Sequence, residues 1–371
     1  MTQQKWPHND AVDMFDKDRL LLARNGIRQA VASQMVPSAT VCVMRHRKPA
    51  VQDAYGYKQL RPRCEQITYD TLYDLASLTK VIATTSAVLH LFDTTRIGPE
   101  TLVSDVLPIF SQESQSNGKA VQITIRMLLT HCAGFPAGGN YRNMSISLDE
   151  IVSDIFRRKR IYTPGSQFLY SDFSFIILGA IITAVSGLPL DVYVQKHIFQ
   201  PLEMTDTCFN PNAHTRNRCA ATAELNSTNE RGYVHDPTAR AMGGVSGHAG
   251  LFSTAGDLAI YCQMLLDHGY SNGQRILRRS TVALMSQRQS PFVGNDRGFG
   301  VDLASSYNIR GELSPSSYGH TGFTGTSVWI DPSNDLFVVL LTNATHANKP
   351  VSLSRIRQQL NTRISTARTD E

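Results

Sequence analysis

Charge is scarce in this chain. Asp, Glu, Lys and Arg make up 18% of its 371 residues, against about 25% in typical soluble proteins, so Ser, Thr, Asn and Gln must cover much of the surface. The shortage excludes neither a fold nor a core, because apolar residues amount to 42%, well clear of the disordered class. Cysteine is also sparse and unpatterned. Cys42, Cys64, Cys132, Cys208, Cys219 and Cys262 form no C-x-x-C pair, which argues against a zinc ribbon or a disulfide framework and fits a reducing compartment. The start, Met1-Thr2-Gln3-Gln4-Lys5-Trp6, has no apolar h-region; the expectation is therefore no secretory signal and a cytoplasmic setting.

Strong charge of one sign is missing too. The net charge is +5, from 36 basic and 31 acidic residues. The short clusters Arg45-His46-Arg47-Lys48 and Arg157-Arg158-Lys159-Arg160 read as solvated faces, since no basic stripe with stacking aromatics accompanies them, so no nucleic-acid partner is expected. Only Phe173–Leu190 approaches a membrane span, with eighteen residues free of charge. Ser174, Thr183 and Ser186 interrupt it, and Gly187-Leu188-Pro189 ends it after about four turns, so a buried core helix is expected and no membrane span.

The pattern of apolar residues predicts the organisation. Helices are expected over 10–33, 77–92, 173–186, 189–199, 253–269 and 351–363. Strands are expected over 39–44 and 51–57, paired as a hairpin around a basic turn, and again over 298–303, 326–330 and 336–342. Residues 205–250 read as a long polar loop with a functional role. No repeat or linker divides the chain. Strands at both ends with helices between predict an α+β arrangement in one unit, an antiparallel sheet built from both chain ends and flanked by helices. The α/β part would comprise about 1–95 and 250–371, and a mainly helical part about 96–249.

Three short elements could carry chemistry. Ser77-Leu78-Thr79-Lys80 opens a predicted helix, where positions i and i+3 share a face and a hydroxyl can meet an amine. A serine hydroxyl needs a base to become a nucleophile, and a desolvated lysine can serve. Alone the pattern is weak: a helix-cap serine with a surface lysine is the favoured reading of Ser77 in isolation, and Ser116-Asn117-Gly118-Lys119 repeats the pattern in what reads as a surface loop. Tyr170-Ser171-Asp172 precedes the apolar helix, where Asp172 is a good N-cap candidate and Tyr170 could be a packing residue. Gly319-His320-Thr321-Gly322-Phe323-Thr324-Gly325 lies at the lip of a strand, where glycines permit close approach of a ligand but a bulge is the ordinary explanation, and His320 alone is more often structural than catalytic. Among the other histidines, His235, Asp236 and His248 offer the nearest thing to a zinc set, but hydrogen bonds that pin the loop are the favoured reading.

Taken together and in this order, the three elements resemble the motif set of the penicillin-recognising serine hydrolases. The likeness is to the class C β-lactamase branch, which includes D-alanyl-D-alanine carboxypeptidases, esterases and muramyl-peptide amidases. Met127-Leu-Leu-Thr-His131-Cys-Ala-Gly-Phe-Pro136, Gly247-His-Ala-Gly-Leu-Phe-Ser-Thr254 and Gly298-Phe-Gly-Val301 extend it along nearly the whole chain. The resemblance implies a β-lactamase/transpeptidase-like fold with the site at the junction of its two parts. It implies Ser77, Lys80 and Tyr170 as the catalytic group, and backbone N–H groups of Ser77 and Phe323 as an oxyanion hole. Asp172, His320, Thr321 and Gly322 would touch substrate, a small molecule or peptide, with no metal or organic cofactor. Two departures stand out: His320 replaces the usual lysine of the third motif, and Asp172 the frequent asparagine of the second. Both lost residues help hold a β-lactam, which argues against efficient β-lactamase activity. The rival reading is a catalytically silent binding protein that retains the fold; its hallmark would be a missing nucleophile, lysine or tyrosine.

Overall fold

A computed structural model describes residues 14–95, 97–112, 122–222, 231–290, 292, 295–303, 310–347 and 352–369. Its centre is a six-stranded sheet ordered Glu65–Gln66, Lys48–Gln59, Ser38–Arg45, Leu336–Thr342, Ser327–Asp331, Tyr318–Thr321. Every neighbouring pair is antiparallel. The first three strands in the sequence thus join the last three through one seam, where Val41 faces Leu340 and Val43 faces Val338.

Side chains alternate across this sheet with period two, as a pleated strand requires. Val41, Val43, Trp329, Val338 and Leu340 pack on one side with Leu20 and Ile27 of the first helix, Lys17–Ala32, and Leu360 and Ile364 of the last, Ser354–Ala367. Cys42, Met44, Val328, Val339 and Leu341 point to the other side and join the large core shared with the internal helices. A sheet covered on both faces explains why Leu336–Thr342 is apolar at almost every position rather than alternating.

Helix Asp172–Ser186 is the axis of the internal helices. Its residues from Phe173 to Ile182 are buried, and Gly187 ends it in the left-handed conformation at φ 72°, the usual C-terminal role of glycine. Among the described residues no single helix is long and apolar enough to cross a membrane; this helix and Leu190–Phe199 pass that test only together and are bent by 71°.

The structure corrects two expectations. Residues 298–303 form a turn rather than a strand, held by Gly298 N–H donating to the Val301 carbonyl and Gly300 N–H donating to that of Leu129. Gly300 sits at φ 72°, and a Cβ there would lie 2.0 Å from Thr85 Oγ1, so close packing of backbone outweighs the strand propensity of its neighbours. The helix expected from residue 77 is regular only over Ser86–Thr94; a tight turn at Ala76–Leu78 and a wide one at Lys80–Thr85 precede it. The long loop folds around the short helices Ala213–Arg216 and Pro237–Ala241. The second S-x-x-K copy, Ser116–Lys119, lies outside the described residues.

Candidate active site

Ser77 owes its position to the residues just before it. Asp74 is buried and accepts hydrogen bonds from Ala76 N–H (2.8 Å) and His235 N–H (2.7 Å). Burial pushes its carboxyl up to about 6, against the pull of those two N–H groups. Ala76 is forced to φ 46°, a conformation that a residue with a side chain seldom adopts. The chain then turns tightly, and Lys80 comes round beneath Ser77.

Lys80 is fully buried. Its Nζ donates to Ser77 Oγ (2.9 Å) and to the His248 carbonyl (3.0 Å), and it pairs with Asp172 Oδ1 at 2.8 Å. Burial disfavours the charge, but the charges of Asp172 and Tyr170 outweigh it and hold the lysine above its ordinary range. An ammonium group has three N–H bonds and no lone pair, and here all three have partners.

Asp172 is not the helix cap that its place in the sequence suggested. Ser171 takes that role, with extended backbone and a side chain accepting from Ser174 N–H. Asp172 is therefore already helical, and its carboxylate is free to meet Lys80. Tyr170 sits one residue earlier, its ring centroid 5.0 Å from Lys80 Nζ, 4.4 Å from the ring of His131 and 6.0 Å from that of His320.

The Gly319–Gly325 segment is stitched to the turn that carries Ser77. Thr324 and Thr326 donate from their hydroxyls to the carbonyls of Asp74 (2.7 Å) and Leu75 (3.0 Å). A Cβ on Gly322 would lie 2.4 Å from the Leu75 carbonyl oxygen, so only glycine allows this approach. Arg357, from the last helix, donates to the carbonyls of Gly322 (2.8 Å) and Thr326 (2.9 Å), and burial pulls it down to about 10. His320 is buried on the edge strand, its Nδ1–H donating to the Thr321 carbonyl at 2.7 Å. Burial first, then the charges of Arg297 and Lys80, lower it to about 3. A neutral imidazole thus stands where the third motif usually carries a cation.

Ser77, Tyr170, His320, Thr321, Gly322 and Phe323 share one cleft of about 640 Å³. Phe323 is 78% exposed at this cleft, and its ring stacks on that of His235 with centroids 5.6 Å apart. Phe168, Arg297, Asp302, Trp329 and Arg357 complete much of the wall. Sequence reasoning missed these five: Phe168 lies two residues before Tyr170 but reads locally as a packing residue, and the other four lie outside the three motifs. Asp172 lies beside the cleft and pairs with Lys80.

Two of the three residues of the candidate zinc set come together. His235 turns to Phe323, whereas Asp172, Asp236 and His248 place one ligand atom each within 4.8 Å of one another. Lys80 already supplies a cation to this group, through Asp172 and the His248 carbonyl. His248 Nε2 meets Asp236 Oδ1 at 2.8 Å, and the same oxygen accepts from Ala239 N–H at the start of Pro237–Ala241. Burial opposes ionisation of Asp236, but the charge and hydrogen bond of His248 hold it below the usual carboxylate range. These contacts pin the loop.

A profile of the family described as "Beta-lactamase" matches residues 23–361. The protein named "Putative D-alanyl-D-alanine carboxypeptidase" in Escherichia coli (strain K12) is 33% identical over 348 residues, covering 84% of this chain and 79% of that protein. Its namesake in Salmonella typhi is 35% identical with the same coverage. In three dimensions the chain is similar to EstCE1, described as "a hydrolase with promiscuous acyltransferase activity", with a TM-score of 0.77 at 22% identity over 94% of this chain and 99% of that one. A penicillin-binding protein homologue from Caulobacter crescentus superposes with a TM-score of 0.75 at 19% identity, over 94% and 98% of the two chains.

Proposed function

The chain belongs to the Beta-lactamase family and is a serine hydrolase of ester or amide bonds, and we propose that it works through a covalent acyl-enzyme on Ser77. The observation that carries this reading is the fully buried Lys80 ammonium donating to Ser77 Oγ at 2.9 Å. With its other two N–H bonds directed to the His248 carbonyl and Asp172, Lys80 has no lone pair with which to accept the serine proton. Tyr170, with its ring beside the ammonium, is the acceptor.

Ser77 Oγ attacks the carbonyl carbon while Tyr170 takes up its proton, and Lys80 stabilises the developing charge. Backbone N–H groups of Ser77 and Phe323 hold the tetrahedral oxyanion; one such donor typically accounts for ~10²–10³ in rate. As the bond to the leaving group breaks, Tyr170 returns the proton to the departing oxygen or nitrogen. A water then loses a proton to Tyr170 and attacks the ester carbonyl; as the bond to Ser77 Oγ breaks, Tyr170 returns that proton to the serine oxygen and the acid leaves. These steps need no cofactor.

The names of the sequence relatives favour a small peptide ending in D-alanyl-D-alanine or a related cell-wall fragment, and the structural likeness to EstCE1 keeps small esters in the same class. The neutral His320 in place of a lysine speaks against efficient β-lactam turnover. A fluorophosphonate probe should label Ser77, and Ser77→Ala should lose both labelling and p-nitrophenyl ester turnover; turnover that persists in that variant would sink the reading. Tyr170→Phe should lower kcat by ~10²–10⁴, the usual contribution of a general base. A panel of short esters, D-Ala-D-Ala peptides, muramyl peptides and nitrocefin ranks the substrate classes.

A further inference from the structure

Tyr170 is held from one side by a single residue. His131 accepts from Leu169 N–H through its carbonyl (2.9 Å) and from Ser171 N–H through Nδ1 (3.0 Å). Both neighbours of Tyr170 are thereby fixed to it, and its ring lies 4.4 Å from the tyrosine ring at an interplanar angle of 31°. The same turn continues the grip, with Pro136 and Ala137 carbonyls accepting from Ser171 Oγ (2.6 Å) and Asp172 N–H (2.7 Å).

His131 occupies a costly place. It follows helix Ile125–Leu129 and its cap Thr130 in the left-handed conformation, at φ 58°, where glycine is the unstrained choice. It is 2% exposed. A bulky polar side chain kept in strained backbone and buried against a reacting group points to a role for that side chain. Burial, then the charges of Arg297 and Lys80, hold the imidazole well below its usual range. It therefore stays neutral, with the Nδ1 lone pair committed to Ser171.

We propose that His131 is the positioning residue for Tyr170, setting the phenol against Lys80 and Ser77 by ring contact and by gripping the backbone on either side. This rests on Tyr170 being the proton acceptor. A displacement of ~1 Å in such a group can cost ~10²-fold in rate.

Two variants separate the parts of that grip. His131→Gly removes the side chain and suits the positive φ; His131→Asn tolerates the same backbone and keeps an acceptor near the Nδ1 position, but loses the ring. For a p-nitrophenyl ester, His131→Gly should lower kcat by ~10²-fold with KM within about twofold, and should shift the pH limb of kcat/KM that Tyr170→Phe abolishes. His131→Asn should recover only part of that loss, about tenfold, and stay below wild type because the ring is missing. A purely structural residue would lower the melting temperature while the folded fraction kept its kcat and pH profile, and that result overturns the proposal. If His131→Gly fails to fold, His131→Asn decides, because wild-type kcat and pH profile in it would remove the ring from the argument. Tyr170→Phe in the same assay keeps the two ideas apart. Full turnover in Tyr170→Phe would refute the base assignment itself, whereas loss there with wild-type behaviour in both His131 variants refutes only the positioning role.

Discussion

Replacing Asp172 by asparagine removes one charge and leaves the shape and an acceptor oxygen in place. Lys80 is fully buried and lies 2.8 Å from Asp172, whose side chain is 34% exposed. Breaking a buried pair costs ~3–5 kcal/mol, and an exposed one ~1 kcal/mol or less. With one partner a third exposed, Asp172→Asn should cost ~2 kcal/mol, or roughly 2–3 °C in melting temperature for a chain of this length. The pH dependence follows from the direction of the Lys80 shift. Its folded value is raised, so the associated stability is fully present below the unfolded lysine value of ~10.4 and fades as the pH rises through the folded value. The deficit of Asp172→Asn should therefore be constant from pH 7 to about 10 and shrink above that. Without the carboxylate, burial is no longer outweighed and the lysine loses its proton at lower pH, so the alkaline limb of Ser77 labelling should move down. Thermal melts across pH, together with fluorophosphonate labelling rates, measure both effects. A variant that melts within about 1 °C of wild type and keeps its alkaline limb would refute the view that Asp172 holds Lys80 charged.

Two further outcomes test the surrounding structure. Gly300→Ala puts a methyl group 2.0 Å from Thr85 Oγ1 in a backbone at φ 72°; it should cost ~2 kcal/mol or more, read as a lower denaturation midpoint with unchanged slope. His320 is neutral when folded, with a value near 3, so between about pH 6.5 and 3 the unfolded chain binds the proton that the folded chain does not. Stability should fall as the pH drops below about 6.5, by up to ~1.4 kcal/mol per pH unit from this residue, and His320→Asn should remove that part of the slope. A slope left intact in His320→Asn would show that the imidazole is already charged in the fold.

Much of the molecule was legible in the chain before folding was considered. Strand periodicity, the apolar run ended by Gly187 and the i, i+3 spacing of Ser77 and Lys80 are local properties, set by backbone geometry and by where apolar side chains repeat. They sufficed for an antiparallel sheet made from both chain ends, and for the three motif segments that line or underlie the cleft. Locality also marks where the reading failed. Gly298–Leu303 looked like a strand because nothing nearby shows that Thr85 and Leu129 crowd its backbone. Asp172 looked like a helix cap because Lys80, its partner, lies far back in the sequence. Arg297 and Arg357 join the cleft wall, and His131 grips Tyr170, through contacts that only the packing of distant segments creates. Sequence by itself singled out the candidate reacting groups. Tertiary structure decided their electrostatics, because a proton's place between Lys80, Tyr170 and Asp172 depends on burial and on charges a few ångströms away, which no spacing along the chain records.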